Sequence, residues 1–279
     1  MRTQIALAAI SLGLICSTAE AKEMLYVSTV DGHVAVVDTE KNEMTGLIRT
    51  GGRGDDVAGS PDGKTVYANL WIIEGHRYNM PTAGQLVAID TATNKIKWRM
   101  PLTDGWPHHI TVSADGNYLF SPVFDRSHVN VIDLNTQTIV RRFDGILGMH
   151  GTKLSKDGSK LYVGAMTMEA FAVFDISSGE ITNIVDFVGG VRPFAVSHDG
   201  STLYTQLSRL HGFAVADLAT GNTIQTIRYP MPEDVEPPKS WPHSYNHGLE
   251  ITPDGATLVV AASLGDFVAI YDLPGLEER

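Results

Sequence analysis

The chain has 279 residues, with 32 acidic side chains against 21 Lys and Arg and a formal net charge of −11. That balance repels nucleic-acid backbones and anionic membrane surfaces, and no basic stripe offsets it, so neither is an expected partner. A single cysteine, Cys16, leaves no basis for a disulfide framework or a thiolate metal site, and without Cys-x-x-Cys-His covalently attached c-type haem is excluded.

The first predicted element is a leader. Arg2 opens it, Ile5 to Cys16 is apolar, and Ala19-Glu20-Ala21 supplies a small-x-small cleavage pattern. Residues 1–21 therefore read as a secretory signal peptide cut after Ala21, too short in its apolar run to span a bilayer. Ile15 before Cys16 fits lipidation poorly. The expected product is a periplasmic or secreted, cysteine-free, monomeric protein, with residues 22–279 as one domain.

Beyond the leader the chain is built on a repeat. Ser60-Pro61-Asp62-Gly63, Ser113-Ala114-Asp115-Gly116, Ser155-Lys156-Asp157-Gly158, Ser197-His198-Asp199-Gly200 and Thr252-Pro253-Asp254-Gly255 are versions of one tight-turn signature. Asp-Gly between apolar runs marks a hairpin, because Gly accepts the positive φ the turn needs. The copies recur every ~40–55 residues, a period typical of β-propeller blades. In phase with them run alternating segments ending in Asp: His33 to Asp38, Gln85 to Asp90, His128 to Asp133, Phe171 to Asp175, Gly212 to Asp217 and Phe267 to Asp272. A blade is thus four antiparallel strands, A to D, with the Asp-Gly turn joining A to B and C ending in Asp. Counted along the chain, this gives strands B, C and D, then four complete blades, then A, B and C.

Two units are longer than the rest. Their extra residues fall at Trp71 to Gly84, including Glu74, His76, Arg77, Tyr78 and Met80, and at Tyr229 to Asn246, including Trp241. B–C and D–A connections emerge on the same face, so both insertions decorate one end of the propeller, where loops on a rigid scaffold concentrate function.

The units resemble the YVTN-type repeats of exported bacterial β-propellers, including YncE-like proteins. Ser60-Pro61-Asp62-Gly63-Lys64-Thr65-Val66-Tyr67 and Lys160-Leu161-Tyr162-Val163 carry the resemblance, which covers the mature chain. It implies an all-β propeller of the seven-bladed type. About six blades are present, because the sequence reaches Leu273-Pro274-Gly275-Leu276-Glu277-Glu278-Arg279 where a D strand should start. An uncovered strand edge or gap is the expected consequence. The resemblance specifies architecture, not activity.

The residue five places before each turn Ser or Thr is Asp55, His108, His150, Arg192 and His247. This is the entry to the innermost strand, so these positions ring one channel mouth. His109 adjoins the ring, and Trp106, Trp241, His243 and Tyr245 lie within a few residues of it. Three imidazoles from His108, His150 and His247 could hold Zn²⁺ or Cu²⁺ with a position left for water or substrate. Alternatively, the histidines and Arg192 form a polar pocket for a small anionic or organic ligand, walled by Trp106, Trp241 and Tyr245. A third reading is that they line a water-filled channel. Glu250 and Lys153 share another channel register, where Glu250 could act as a base or ligand or form an ion pair.

The favoured function is an exported binding or accessory propeller with a histidine-rich site for a metal, small molecule or protein partner. A metal-dependent hydrolase or lactonase is one alternative, although known propeller lactonases bind metal through carboxylates and Asn. A redox-accessory role, as in haem d1 and quinoprotein subunits, is the other. Whether the protein is an enzyme stays open at this level, leaning toward no.

Overall fold

A computed structural model describes residues 23–72, 83–234 and 245–279. The expected leader, most of both insertions, and with them Glu74, His76, Arg77, Tyr78, Met80, Trp241 and His243, lie outside the described residues.

Six antiparallel sheets form the blades of a propeller. Blade one has three strands, Met24–Ser28, His33–Asp38 and Glu43–Arg49. Blade two comprises Arg53–Gly59, Thr65–Ile72, Ala83–Asp90 and Lys95–Leu102; blade three, Thr111–Val112, Tyr118–Val123, His128–Asp133 and Thr138–Asp144. Blade four comprises Met149–Leu154, Lys160–Ala165, Ala170–Asp175 and Ile181–Asp186; blade five, Val191–Val196, Thr202–Leu207, Gly212–Asp217 and Asn222–Arg228. Blade six comprises Leu249–Ile251, Thr257–Ala262, Phe267–Asp272 and the two-residue strand Glu277–Glu278. That last strand corrects the expectation of only three strands there. The chain turns back after Asp272, pairing Asp272 with Glu277 and Tyr271 with Glu278, and Arg279 N–H adds a hydrogen bond to Ile270 O at 3.0 Å.

The Asp-Gly turns are built by their own side chains. In the first, Ser60 Oγ donates to Asp62 Oδ1 at 2.7 Å and accepts from Thr65 N–H at 2.9 Å, while Gly63 sits at φ 69°. Equivalent Ser or Thr to Asp bonds recur in the other four turns. These bonds hold the exposed Asp157 and Asp199 carboxyls down at about 2.

The C strands of the interior blades do not alternate between core and solvent. Phe171, Ala172, Val173 and Phe174 are all buried, because each interior blade has a neighbour on both faces. Five hydrophobic clusters fill the seams between successive blades. Among the described residues no such cluster joins blade six to blade one. On the sides facing away from their only seams, Leu25 and Val27 of blade one and Val268 and Ile270 of blade six are exposed.

Gly212 is among the glycines that close approach requires. Gly212 opens the third strand of blade five at φ 140°, and a Cβ there would strike the Ile227 carbonyl oxygen. Gly212→Ala is expected to destabilise the fold by about 1–3 kcal/mol, measured by urea unfolding.

Candidate metal centre

Blade three has the shortest first strand of blades two to five, Thr111–Val112. The segment before it, Trp106 to Ile110, is irregular, so successive side chains are not forced to opposite faces. This lets His108 and His109 both turn toward blade four, where His150 stands on the strand Met149–Leu154. The ring centroids of His108 and His150 are 4.7 Å apart, and those of His109 and His150 are 4.5 Å apart. One nitrogen from each of His108, His109 and His150 lies within 4.8 Å of the others. Nitrogens around a tetrahedral Zn²⁺ at ~2.1 Å sit roughly 3.4 Å apart, so displacements on the order of 1 Å would close the set around an ion.

The backbone fixes these three residues to each other. His109 N–H donates to His150 O at 3.1 Å, and Thr152 Oγ1 donates to His109 O at 2.9 Å. Thr111 Oγ1 returns a bond to Thr152 O at 2.8 Å. From blade two, Asn69 Nδ2 donates to His108 O at 2.8 Å. The same register in blade five is Gln206, whose amide pairs with both the N–H and the carbonyl of Gly248. An inward amide thus ties one blade to the channel mouth of the next, at two places in the ring.

Aromatic rings wall the His108 side. The Trp71, Trp106 and Phe124 rings lie 5.1, 5.4 and 5.2 Å from that of His108, centroid to centroid. Trp71 Nε1–H donates to Pro107 O at 2.8 Å, and the Arg53 guanidinium covers the other part of the Trp71 ring at 5.4 Å.

Burial dominates the electrostatics. His108 and His150 are each 5% exposed, and loss of solvent drives both imidazoles well below the ordinary histidine value, with neighbouring positive groups adding to the effect. His109 is lowered mainly by burial as well, against an opposing pull from Asp56. Arg192 is pushed down to about 10 by burial, and its Nε–H donates to Ser208 Oγ at 3.1 Å. Asp55 is driven well above the usual carboxylate range by burial and then by Asp56. The imidazoles are therefore neutral at physiological pH, the form that ligates metal. Buried Nδ1 atoms of His108 and His150 have no hydrogen-bond partner.

Of the sequence-predicted residues, Asp55, Trp106, His108, His109 and His150 come together. His247 is the third imidazole of the expected metal set, but His109 occupies that place in the close group. The His247 ring stands beside it, 6.0 Å from His109 and 5.9 Å from His150, with its side chain open to solvent. Tyr245 is half-buried in the loop before blade six, where its carbonyl accepts from Leu264 N–H at 2.8 Å. Glu250 and Lys153 form an ion pair that links blades six and four. His128 is occupied elsewhere, 3.2 Å from Asp104, which also binds Arg142.

Sequence reasoning missed Asn69, Trp71, Phe124, Asp56 and Thr152 as parts of the centre. Asn69 is the one with a signal, a lone amide inside the apolar run Val66-Tyr67-Ala68-Asn69-Leu70. Asp56 is fixed by a bond from Ile110 N–H to its Oδ2 at 2.9 Å. At the opposite, Asp-Gly end a concavity of about 810 Å³ is lined by Lys156, Asp157, His198 and Asp199. Its lining reaches the Lys153 and Glu250 pair but includes none of His108, His109, His150 and His247.

No family model matches the chain, and no curated protein matches it. Among solved structures, hydrazine synthase of Kuenenia stuttgartiensis superposes with a TM-score of 0.71 at 18% identity, over 90% of this chain and 73% of that one. The likeness is one of fold. Both chains are β-propellers in the covered region, and at this identity the resemblance carries no activity across.

Proposed function

We propose that this is an exported metal-binding propeller that holds one Zn²⁺ or Cu²⁺ through His108, His109 and His150. The observation that carries the reading is the close grouping of three neutral imidazoles, His109 half-buried and His108 and His150 buried with unpartnered Nδ1 atoms. Such a set costs desolvation free energy that a ligand must offset, and a borderline-soft divalent ion suits three imidazoles. Three protein ligands leave a coordination position for a small molecule or water. His247 and Arg192 stand at the same mouth, and Arg192 suits a carboxylate or other small anion as the further ligand. The loop face at the histidine end is the docking side for a small molecule or protein partner. The YVTN-like repeats and the leader support an accessory role in the periplasm or outside the cell. A hydrolase or lactonase would need, besides the ion, a group placed to activate its bound water.

The test is direct. Protein stripped with chelator is titrated with Zn²⁺ and Cu²⁺ by calorimetry, and the loaded protein is analysed for metal. One equivalent is expected to bind, with His150→Ala and His108→Ala each weakening it at least 100-fold while folding is retained. Wild-type protein that takes up neither ion at micromolar concentration overturns the reading.

A further inference from the structure

We infer that Asp55 is the positioning residue of the metal centre: when the ion is bound, its ionised carboxylate accepts a hydrogen bond from Nδ1–H of His108 and so presents Nε2 of that ring to the ion. This inference rests on the metal-binding reading above and names how one of its ligands is set.

The geometry comes from three sides of one ring. Trp71, Trp106 and Phe124 surround His108, so the ring has little freedom to reorient. Its Nδ1 edge faces blade two, where Asp55 Oδ1 lies 3.7 Å away, and both side chains are 7% exposed. At that distance the hydrogen bond is not formed, and Nδ1 is a buried polar atom without a hydrogen-bond partner. A displacement of under ~1 Å closes it to hydrogen-bond length. Asp55 is itself held, because Asn69 Nδ2–H reaches Asp55 Oδ2 at 3.3 Å while also binding His108 O at 2.8 Å. One amide therefore fixes the carboxylate and the backbone of its histidine partner together.

Chemistry gives the arrangement its use. A neutral imidazole binds metal through one nitrogen and keeps its proton on the other, and the group that accepts that proton's hydrogen bond chooses which nitrogen is free. A carboxylate acceptor also makes the ligating nitrogen more basic and puts a negative charge near the cation. Nδ1–H toward Asp55 leaves Nε2 for the ion. Drawing His108 Nδ1 toward Asp55 also satisfies a buried atom that otherwise has no hydrogen bond.

Two measurements test this. In Zn²⁺-loaded wild-type protein, long-range ¹H–¹⁵N imidazole spectra are expected to show His108 protonated at Nδ1 and coordinated at Nε2; coordination through Nδ1 overturns the inference. In Asp55→Asn, chelator competition is expected to show Zn²⁺ bound about 10–100-fold more weakly. The metal-free melting temperature should stay the same or rise. Adding Asp55→Asn to His108→Ala should produce no further loss. Wild-type affinity in Asp55→Asn, or equal weakening with and without His108, overturns the role of Asp55 while leaving the metal centre standing. Failure of the wild-type protein to bind any metal removes both.

Discussion

Metal-free protein is expected to lose stability as pH falls from 6.5 toward 5, well before its surface carboxylates titrate. His108 and His150 are held neutral in the folded chain, with folded values far below 6.5. In the unfolded chain they protonate near 6.5. Below that pH the unfolded state binds more protons than the native state, so unfolding free energy falls with decreasing pH. The stability in question is fully present above 6.5 and is lost on the way down to the folded values. Each such histidine contributes a slope of ~1.4 kcal/mol per pH unit. Asp55 works the other way. Its folded value is raised, so between about 3.8 and that value the native state holds the extra proton, and acidification favours folding. Asp55 therefore subtracts from the decline, while His109, also lowered, and His247, lowered to about 4, add to it. Urea midpoints at pH 7.5, 6.5, 5.5 and 5.0 give the measurement. Asp55→Asn should steepen the decline, since it removes the opposing group. A flat profile in wild-type protein contradicts the buried neutral cluster.

The architecture was legible in the sequence because its determinants are local. Ser60-Pro61-Asp62-Gly63 and its four relatives encode their turns with their own side chains, so the turn positions mark out the blades. The strands ending in Asp38, Asp90, Asp133, Asp175, Asp217 and Asp272 fall where the pattern put them. The channel-mouth register also brought His108, His150 and Asp55 to one place. Local pattern could not choose between His109 and His247 as the third imidazole. That choice comes from a bond between blades, His109 N–H to His150 O, and from a first strand in blade three too short to enforce alternation. The pairing of Asn69 with His108 O likewise joins residues 39 apart in sequence, with no local mark beyond an amide among apolar neighbours. The two-residue strand Glu277–Glu278 was missed because Leu273-Pro274-Gly275 reads as a loop and only two residues beyond it pair.

Phe194→Ala should cost about 3–5 kcal/mol, the range for removing a buried aromatic ring, and should weaken metal binding as well. Phe194 is 1% exposed in the seam between blades four and five, with its ring edge-on to Phe171 at 5.0 Å between centroids. It fills space that two glycines of blade four leave open: a Cβ on Gly151 would meet its Cε1 at 3.4 Å, and one on Gly164 would meet its Cδ1 at 3.2 Å. Gly151 directly succeeds His150, and Arg192 lies two residues before Phe194 on the strand Val191–Val196. The ring therefore sets how closely the innermost strands of blades four and five approach, at the height of the histidines. Its removal leaves a cavity beside the backbone that carries His150, and a ligand set tolerant of only small displacements loses affinity when one member is freed. Val36→Ala is the control: Val36 is fully buried, but in the seam between blades one and two. It should lower the urea midpoint without changing the Zn²⁺ dissociation constant. Equal effects of the two substitutions on Zn²⁺ affinity would mean that the centre responds to overall stability, not to the seam beneath His150.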